Sequence, residues 1–232
     1  MAQQNSSRWD LGRFIKTLCY FGVIPFWGKS SSLQSFMGDR NASNSQSATH
    51  SSEKILFDFS QDSADLSNTW GAVDDVVMGG VSASGIRLVN ATALFSGNVS
   101  TNNSGGFASV RTRNFDPPID LTNYEGIELQ VRGDGNRYKF MLRTSTKWDG
   151  VAYCYSFDTV INNWINVRIP FSEFVPIFRA RTVSDAEPLA AKHIYALQLM
   201  LSKFEYDGAL NPKFNSGSFE LQVQTIKAYR GA

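Results

Sequence analysis

Hydrophobic and polar residues alternate along most of the chain after residue 53. In the stretch 126–133, Ile127, Leu129 and Val131 alternate with charged or amide side chains. This period of two is typical of a half-buried β-strand. Nine further runs carry the same pattern or a weaker form of it, at 55–59, 85–89, 93–97, 107–113, 137–143, 151–157, 164–170, 196–201 and 218–229. Ten short strands separated by frequent turns predict an all-β fold, an antiparallel sandwich or barrel.

Two further predictions concern the connections between these strands. The tetrapeptide 133–136 has the sequence Gly-Asp-Gly-Asn and lies between the alternating runs 126–133 and 137–143. Because Asp-Gly between two such runs is a strong turn signal, we predict a β-hairpin there. The pattern predicts only one short helix in this part of the chain, near 185–193.

The front of the chain follows a helical period. Between residues 9 and 21, apolar side chains recur at the i, i+3, i+4, i+7 spacing of one helical face, with Arg13 and Lys16 on the other side. The uncharged run from Thr17 to Gly28 is 12 residues long, whereas a membrane-spanning helix needs roughly 20. We therefore predict a basic amphipathic helix that lies at a membrane surface or docks on a partner. The alternative is a helix that packs against its own domain.

Composition divides the chain into three parts: a helical docking segment at 1–28, a Ser/Asn-rich flexible linker at 29–52 and a β domain at 53–232. The docking residues are predicted to be Arg8, Trp9, Leu11, Arg13, Phe14, Ile15, Lys16, Leu18, Phe21 and Trp27. The first 52 residues hold five basic and two acidic groups, although the whole chain of 232 residues has a formal charge of only +1. An import signal partly fits this front, and a secretory signal fits it poorly.

Candidate chemistry is sparse. Two cysteines and two histidines exclude a disulfide framework and a four-cysteine zinc site, and they give little support to histidine-based catalysis. Cys154 lies in an aromatic strand, where a buried, inert thiol is expected. Asp74 and Asp75 precede Gly79 and Gly80 and could bind a cation or a polar ligand, but a turn held by backbone hydrogen bonds is favoured. No catalytic residue, metal or cofactor is assigned.

Basic and aromatic residues follow one another closely in the stretch 132–148, which holds Arg132, Arg137, Lys139, Arg143 and Lys147 beside Tyr138, Phe140 and Trp148. This combination is found in nucleic-acid surfaces. Acidic residues are interleaved with them, however, so a solvated strand face is favoured.

Several uncommon strings in the β domain, taken together, resemble the complex I intermediate-associated protein 30 family. They are Trp70, Val73 with Asp74, 77–82 (VMGGVS), 95–97 (FSG), 105–111 (GGFASVR), 124–127 (YEGI), 131–135 (VRGDG), Tyr138, Phe140, Trp164, 169–171 (IPF) and 174–176 (FVP). The resemblance spans roughly residues 55–230 and implies a galactose-binding-like jelly roll. It also implies a non-catalytic assembly factor for a membrane electron-transfer complex, either respiratory complex I, an NADH dehydrogenase-like complex or a photosystem.

The resemblance further implies partners and a location. The partners would be subunits or assembly intermediates of that complex, met at the thylakoid or inner mitochondrial membrane if the protein is organellar. The expected contact surface consists of Asp74, Asp75, Met78, Gly79, Gly80, Ser82 and Arg111. Two alternatives stay open: a carbohydrate-binding module that uses Trp148 and Tyr153 to stack on sugars, and an RNA-binding biogenesis factor that uses the basic face at 111–147.

Overall fold

A computed structural model describes residues 9–23, 52–61 and 66–231. The predicted linker at 29–52 therefore lies almost entirely outside the described residues, as do Arg8 and Trp27. The described part holds one helix, α1 (Leu11–Tyr20), and the following strands: β1 (Glu53–Asp58), β2 (Trp70–Ala72), β3 (Ala83–Val89), β4 (Thr92–Val99), β5 (Phe107–Thr112), β6 (Gly126–Gly133), β7 (Arg137–Arg143), β8 (Ala152–Asp158), β9 (Trp164–Pro170), β10 (Val175–Phe178), β11 (Arg181–Thr182), β12 (Ala196–Ser202) and β13 (Gly217–Tyr229).

The strands form two antiparallel sheets. One has the order β3-β4-β13-β6-β9, with β1 paired to the second half of β13, and the other has the order β11-β10-β8-β7-β12-β5-β2. All ten predicted strands are present, and β2, β10 and β11 are additional. The all-β jelly-roll sandwich with an N-terminal helix is thus confirmed.

The core lies between the sheets and is built from the alternating apolar positions. Ile127, Leu129 and Val131 on β6 are fully buried, and they face Tyr138 and Phe140 on β7 across the core. Burying side chains of this size contributes about 1.5–3 kcal/mol each. An edge-to-face contact between Phe95 on β4 and Tyr138 on β7, with ring centroids 6.4 Å apart, connects the two layers further.

Strand β13 changes its inward phase along its length. Phe219, Leu221 and Val223 point into the core at odd positions, whereas Ile226 and Ala228 point inward at even ones. A β-bulge between Val223 and Thr225 inserts the extra residue that makes this change possible. One 13-residue strand can therefore pair with β4 first and β1 afterwards while both halves stay buried.

The predicted hairpin at 133–136 is wrong. Strand β6 pairs with β13 and β9, whereas β7 pairs with β8 and β12, so the tetrapeptide crosses from one sheet to the other. Asp134 holds this crossing, because its carboxylate accepts hydrogen bonds from the Tyr138 hydroxyl at 3.0 Å and from the Glu220 N–H at 3.0 Å. Both alternating runs still face the same core, but from opposite sides.

The predicted helix near 185–193 is also wrong, since this stretch consists of turns and extended backbone. Pro188 lacks an N–H and disfavours helical backbone at Glu187. The Glu187 carbonyl instead accepts a hydrogen bond of 2.6 Å from the Tyr153 hydroxyl.

Candidate functional site

The carboxylate of Asp75 lies inside the domain, in the single 3-10 turn Asp75–Met78 that follows β2. One oxygen accepts a hydrogen bond from the Ser82 N–H at 2.9 Å. The other accepts from the Ser82 hydroxyl at 2.6 Å and from the N–H groups of Gly106 and Phe107 at 2.8 and 3.3 Å. Because a buried carboxylate is tolerated only when it is hydrogen-bonded, these donors explain its position. Asp75 ties the turn to the start of β5.

The glycines around Asp75 have two distinct roles. A Cβ on Gly80 would lie 2.3 Å from Cγ of Asp75, and a Cβ on Gly105 would lie 2.5 Å from its Oδ2, so both positions leave room for the carboxylate. Gly79 instead ends the turn with φ +92°, a left-handed conformation that favours glycine. The string 77–82 is therefore a turn built around an internal carboxylate.

The carboxylate of Asp74 is 1% exposed and points to the neighbouring strands and to the helix. It accepts hydrogen bonds from the N–H and hydroxyl of Ser84, at 2.9 and 2.5 Å, and from the Ser109 N–H at 3.1 Å. The Arg13 guanidinium forms an ion pair with it at 2.9 Å. Burial raises the pKa of the Asp74 carboxyl, and the bonds from Ser84 and Ser109 and the charge of Arg13 oppose that rise.

Helix α1, which supplies Arg13, lies across β2 and the 75–78 turn. The Trp9 indole N–H donates to the Val76 carbonyl at 2.7 Å. At the other end of the helix, the Tyr20 ring covers Gly71, where a Cβ would lie only 2.4 Å from the ring. Trp9, Arg13 and Tyr20 follow one another at spacings of four and seven residues, so they share one face of the helix.

The opposite face of α1 carries its apolar residues, of which Leu11 and Ile15 are exposed, whereas Phe14 and Leu18 are half-buried. Leu11 is 52% exposed and Ile15 is 43% exposed, and Met78 in the adjoining turn is 73% exposed. In the structure α1 docks on its own domain, through Trp9 and Arg13. This was the alternative interpretation of the helix. The contact uses Arg13, which the pattern had placed on the free polar side. The exposed side chains of Leu11, Ile15 and Met78 form an apolar ridge on the outer side of α1.

Arg111 on β5 lies against two aromatic rings beyond the end of α1, and these rings also contact each other, with centroids 5.2 Å apart. Its guanidinium carbon is 4.4 Å from the centroid of Phe21 and 4.3 Å from that of Trp148. Burial, together with the nearby charge of Arg143, lowers the pKa of Arg111 to about 9. Two positions along the strand, Arg113 lies 4.0 Å above the Tyr20 ring. Aromatic faces stabilise these cations without neutralising them.

The structure places the predicted contact residues in one region but at different depths. Asp74, Asp75, Ser82 and Arg111 are buried, whereas Met78 is exposed. A partner approaching this region would therefore meet Met78 and α1 before it met either carboxylate. Sequence reasoning missed the roles of Ser84, Ser109, Tyr20 and Arg113. Ser109 lies within a quoted string, Ser84 and Arg113 each lie two residues beyond one, and Tyr20 lies in the predicted helix.

The residues proposed for sugar or RNA binding are arranged differently from those expectations. Tyr153 is buried in the core, so it offers no exposed ring to a sugar. Arg132 lies on β6 in one sheet and bonds Gln222, whereas Arg137 and the buried Lys139 lie on β7 in the other. The stretch 111–147 is thus divided between two sheets because its central turn crosses the sandwich.

The described residues, 9–23, 52–61 and 66–231, contain no group of three or more His, Cys, Asp or Glu side chains placed to hold a metal ion. None of their helices is long and apolar enough to cross a membrane.

Cys154 is fully buried, and burial raises the pKa of its thiol to about 11. Since the thiolate is the reactive form, we expect a thiol reagent at pH 8 to label Cys19, which is half-buried, and to leave Cys154 unlabelled. Labelling followed by peptide mass spectrometry measures this. Adding denaturant should expose Cys154, and the Cys19→Ser variant should show no labelling without it. Rapid labelling of Cys154 in the native protein would contradict its buried position.

Solved structures define the class of fold. Two structures of the family 11 carbohydrate-binding module from Clostridium thermocellum superpose with TM-scores of 0.57 and 0.56, at 20% and 21% identity. Each match covers 77% of this chain, together with 95% and 96% of the module. The chain therefore has the same β-sandwich fold as these modules. At this identity the likeness concerns the fold alone.

Sequence comparison assigns the family. The model of Complex I intermediate-associated protein 30 matches residues 57–223, so the chain belongs to that family. An uncharacterized Schizosaccharomyces pombe protein is 32% identical over 175 residues, 68% of this chain and 76% of its own length. The mitochondrial Complex I intermediate-associated protein 30 of Drosophila melanogaster is 27% identical over 139 residues, which cover 52% of this chain and 46% of that protein. The resemblance inferred from the quoted strings is thus confirmed.

Proposed function

We propose that this protein is a non-catalytic assembly factor that binds assembly intermediates of a membrane electron-transfer complex. The observation that carries the proposal is the family match over residues 57–223, which spans most of the sandwich. The name of the Drosophila relative associates that protein with intermediates of complex I in mitochondria. Binding an incomplete subunit, but not the mature complex, would stabilise the intermediate by mass action.

The binding surface we propose is the outer face of α1 together with the adjoining turn. Leu11, Ile15 and Met78 present apolar side chains to solvent on one side of the molecule. The face of α1 that packs inward is held by Arg13 and Trp9. The helix can therefore present its apolar ridge while it remains attached. This ridge would meet an apolar segment of the client at the membrane surface.

Affinity purification of the tagged protein from detergent-solubilised membranes of its host tests this function. We expect partly assembled subunits of complex I or of a photosynthetic complex to co-purify without the mature complex, and mass spectrometry names them. The double variant Leu11→Glu, Ile15→Glu should recover about tenfold less client, because both side chains are exposed and removing apolar anchors weakens an interface. Recovery of the wild-type protein alone would contradict the assembly function.

A matched control tests the α1 docking surface separately from the assembly function. Val160 and Ile161 are 49% and 65% exposed on a loop away from α1, so the Val160→Glu, Ile161→Glu variant adds the same charges elsewhere. It should recover the client as the wild type does. If both double variants recover it equally well, α1 does not provide the docking surface, although the assembly function would stand.

A further inference from the structure

A cavity of about 390 Å³ lies between the end of α1 and the outer face of the seven-stranded sheet. This volume falls within the range of small-ligand sites, roughly 300–1,000 Å³. The helix side contributes Tyr20 and the residues 21–23, and the sheet side contributes Arg111, Arg113, Asn114, Thr146 and Trp148. The residues that line the cavity are distinct from Leu11, Ile15 and Met78, which form the proposed client-binding ridge.

The charged side chains that line this cavity are all basic. Arg111 and Arg113 both line it, and none of its described lining residues is acidic. Arg143 lies close enough to lower the pKa of Arg111 further. Asp149, the acidic group that acts on Arg143, is itself ion-paired with Arg179. Of these arginines only Arg111 is buried, and a buried cation is costly unless an anion accompanies it.

The orientation of the arginines leaves hydrogen-bond donors free. The guanidinium carbon of Arg111 lies 4.4 Å from the Phe21 ring and 4.3 Å from the Trp148 ring, and these rings are themselves 5.2 Å apart, so they do not enclose it from opposite faces. The Tyr20 ring lies 4.0 Å from the guanidinium carbon of Arg113. Stacking uses the faces of a guanidinium, whereas its N–H groups point outward in its plane. One of these, on Nη1 of Arg111, reaches the Trp148 carbonyl at 3.3 Å. In the described part of the chain, Nε of the buried Arg111 has no hydrogen-bond partner.

We propose that this cavity, defined by Arg111, Arg113 and Trp148, binds the oxyanion of a small ligand, a phosphate or a carboxylate group. Such a group accepts hydrogen bonds from paired guanidinium edges and supplies the negative charge that the cavity lacks. The burial of Arg111 beside the Phe21 and Trp148 rings reduces solvent screening and so strengthens the attraction. The ligand also touches the end of α1, so its binding stabilises the docked helix by linkage. This inference is independent of the proposed assembly function.

Isothermal titration calorimetry tests the proposal. The full chain is titrated with inorganic phosphate and, separately, with citrate, at an ionic strength held constant by sodium chloride. We expect saturable binding of at least one of the two probes and amide NMR shifts at 111–114 and 146–148. Saturation by phosphate identifies a phosphate-type ligand, and saturation by citrate alone identifies a carboxylate-type ligand. If neither probe saturates beyond the chloride blank, the proposal is overturned.

Arginine variants locate the binding. Arg113→Gln changes an exposed side chain and should weaken binding of the active probe about tenfold or more, the effect of losing a hydrogen bond to a charged group. Arg111→Lys keeps the charge but removes the planar guanidinium, whose N–H groups can bind an oxyanion in pairs. This variant should also weaken binding. Arg87→Gln removes an exposed arginine from β3 on the other sheet and should change nothing. Wild-type affinity in the Arg113→Gln variant, or an equal loss in the Arg87→Gln variant, would overturn the assignment.

Discussion

Replacing Asp75 with alanine should lower the free energy of unfolding by about 3–5 kcal/mol, among the largest effects of any single change in a domain. The Asp75 carboxylate is fully buried and accepts bonds from Ser82, Gly106 and Phe107. Alanine would leave these donors unsatisfied in a site that Gly80 and Gly105 shape around the carboxylate. For a domain of this size the melting temperature should fall by about 10 °C, which differential scanning calorimetry measures.

An exposed aspartate provides the control for this change. Asp120 accepts bonds from the N–H and hydroxyl of Thr122, at 2.9 and 2.6 Å, but lies at the surface. Water can take over the hydrogen bonds from Thr122 there. The melting temperature of Asp120→Ala should therefore be close to that of the wild type. A melting temperature for Asp75→Ala that matches the control would mean that the buried donors find other partners. It would contradict a structural role for Asp75.

The strands could be predicted from the sequence because each has one buried face. Alternation of period two depends only on that face, and it located β6, β7 and β13 closely. The same signal does not say which sheet a strand joins. Two consecutive runs, such as β6 and β7, alternate identically whether they pair side by side or face each other across the core. The hairpin prediction failed for that reason.

The candidate site was predictable in part. The string around Asp74 and Asp75 was correctly interpreted as a turn with backbone hydrogen bonds, because short acids beside glycines commonly form one. The depth of the two carboxylates was not predictable, since their donors come from Ser82, Ser84 and Ser109, whose spacing in the chain follows no motif. For the same reason the pattern of α1 could not reveal that its polar face docks inward. Arg13 turns this face inward because it pairs with Asp74, a buried acid 61 residues later in the chain.

The attachment of α1 leads to a prediction with a large local effect. Gly71→Ala should accelerate hydrogen exchange of the α1 amides at 15–20 by roughly thirtyfold. The added Cβ would lie 2.4 Å from the Tyr20 ring, so the ring has to leave its position over β2. Overpacking of this kind costs about 2 kcal/mol, and here the cost falls on the helix contact because the helix can open locally. Exchange followed by mass spectrometry resolves α1 from the sandwich.

A second glycine makes this experiment specific to the helix. Gly85 on β3 has open space where a Cβ would lie, so Gly85→Ala makes the same chemical change in a strand without a clash. Its α1 amides should exchange at the wild-type rate. If Gly71→Ala also leaves the exchange unchanged, the Arg13–Asp74 ion pair and the Trp9–Val76 bond hold the helix without Tyr20. If it accelerates exchange, the end of the helix that lines the arginine cavity is also the end that fixes it to the domain.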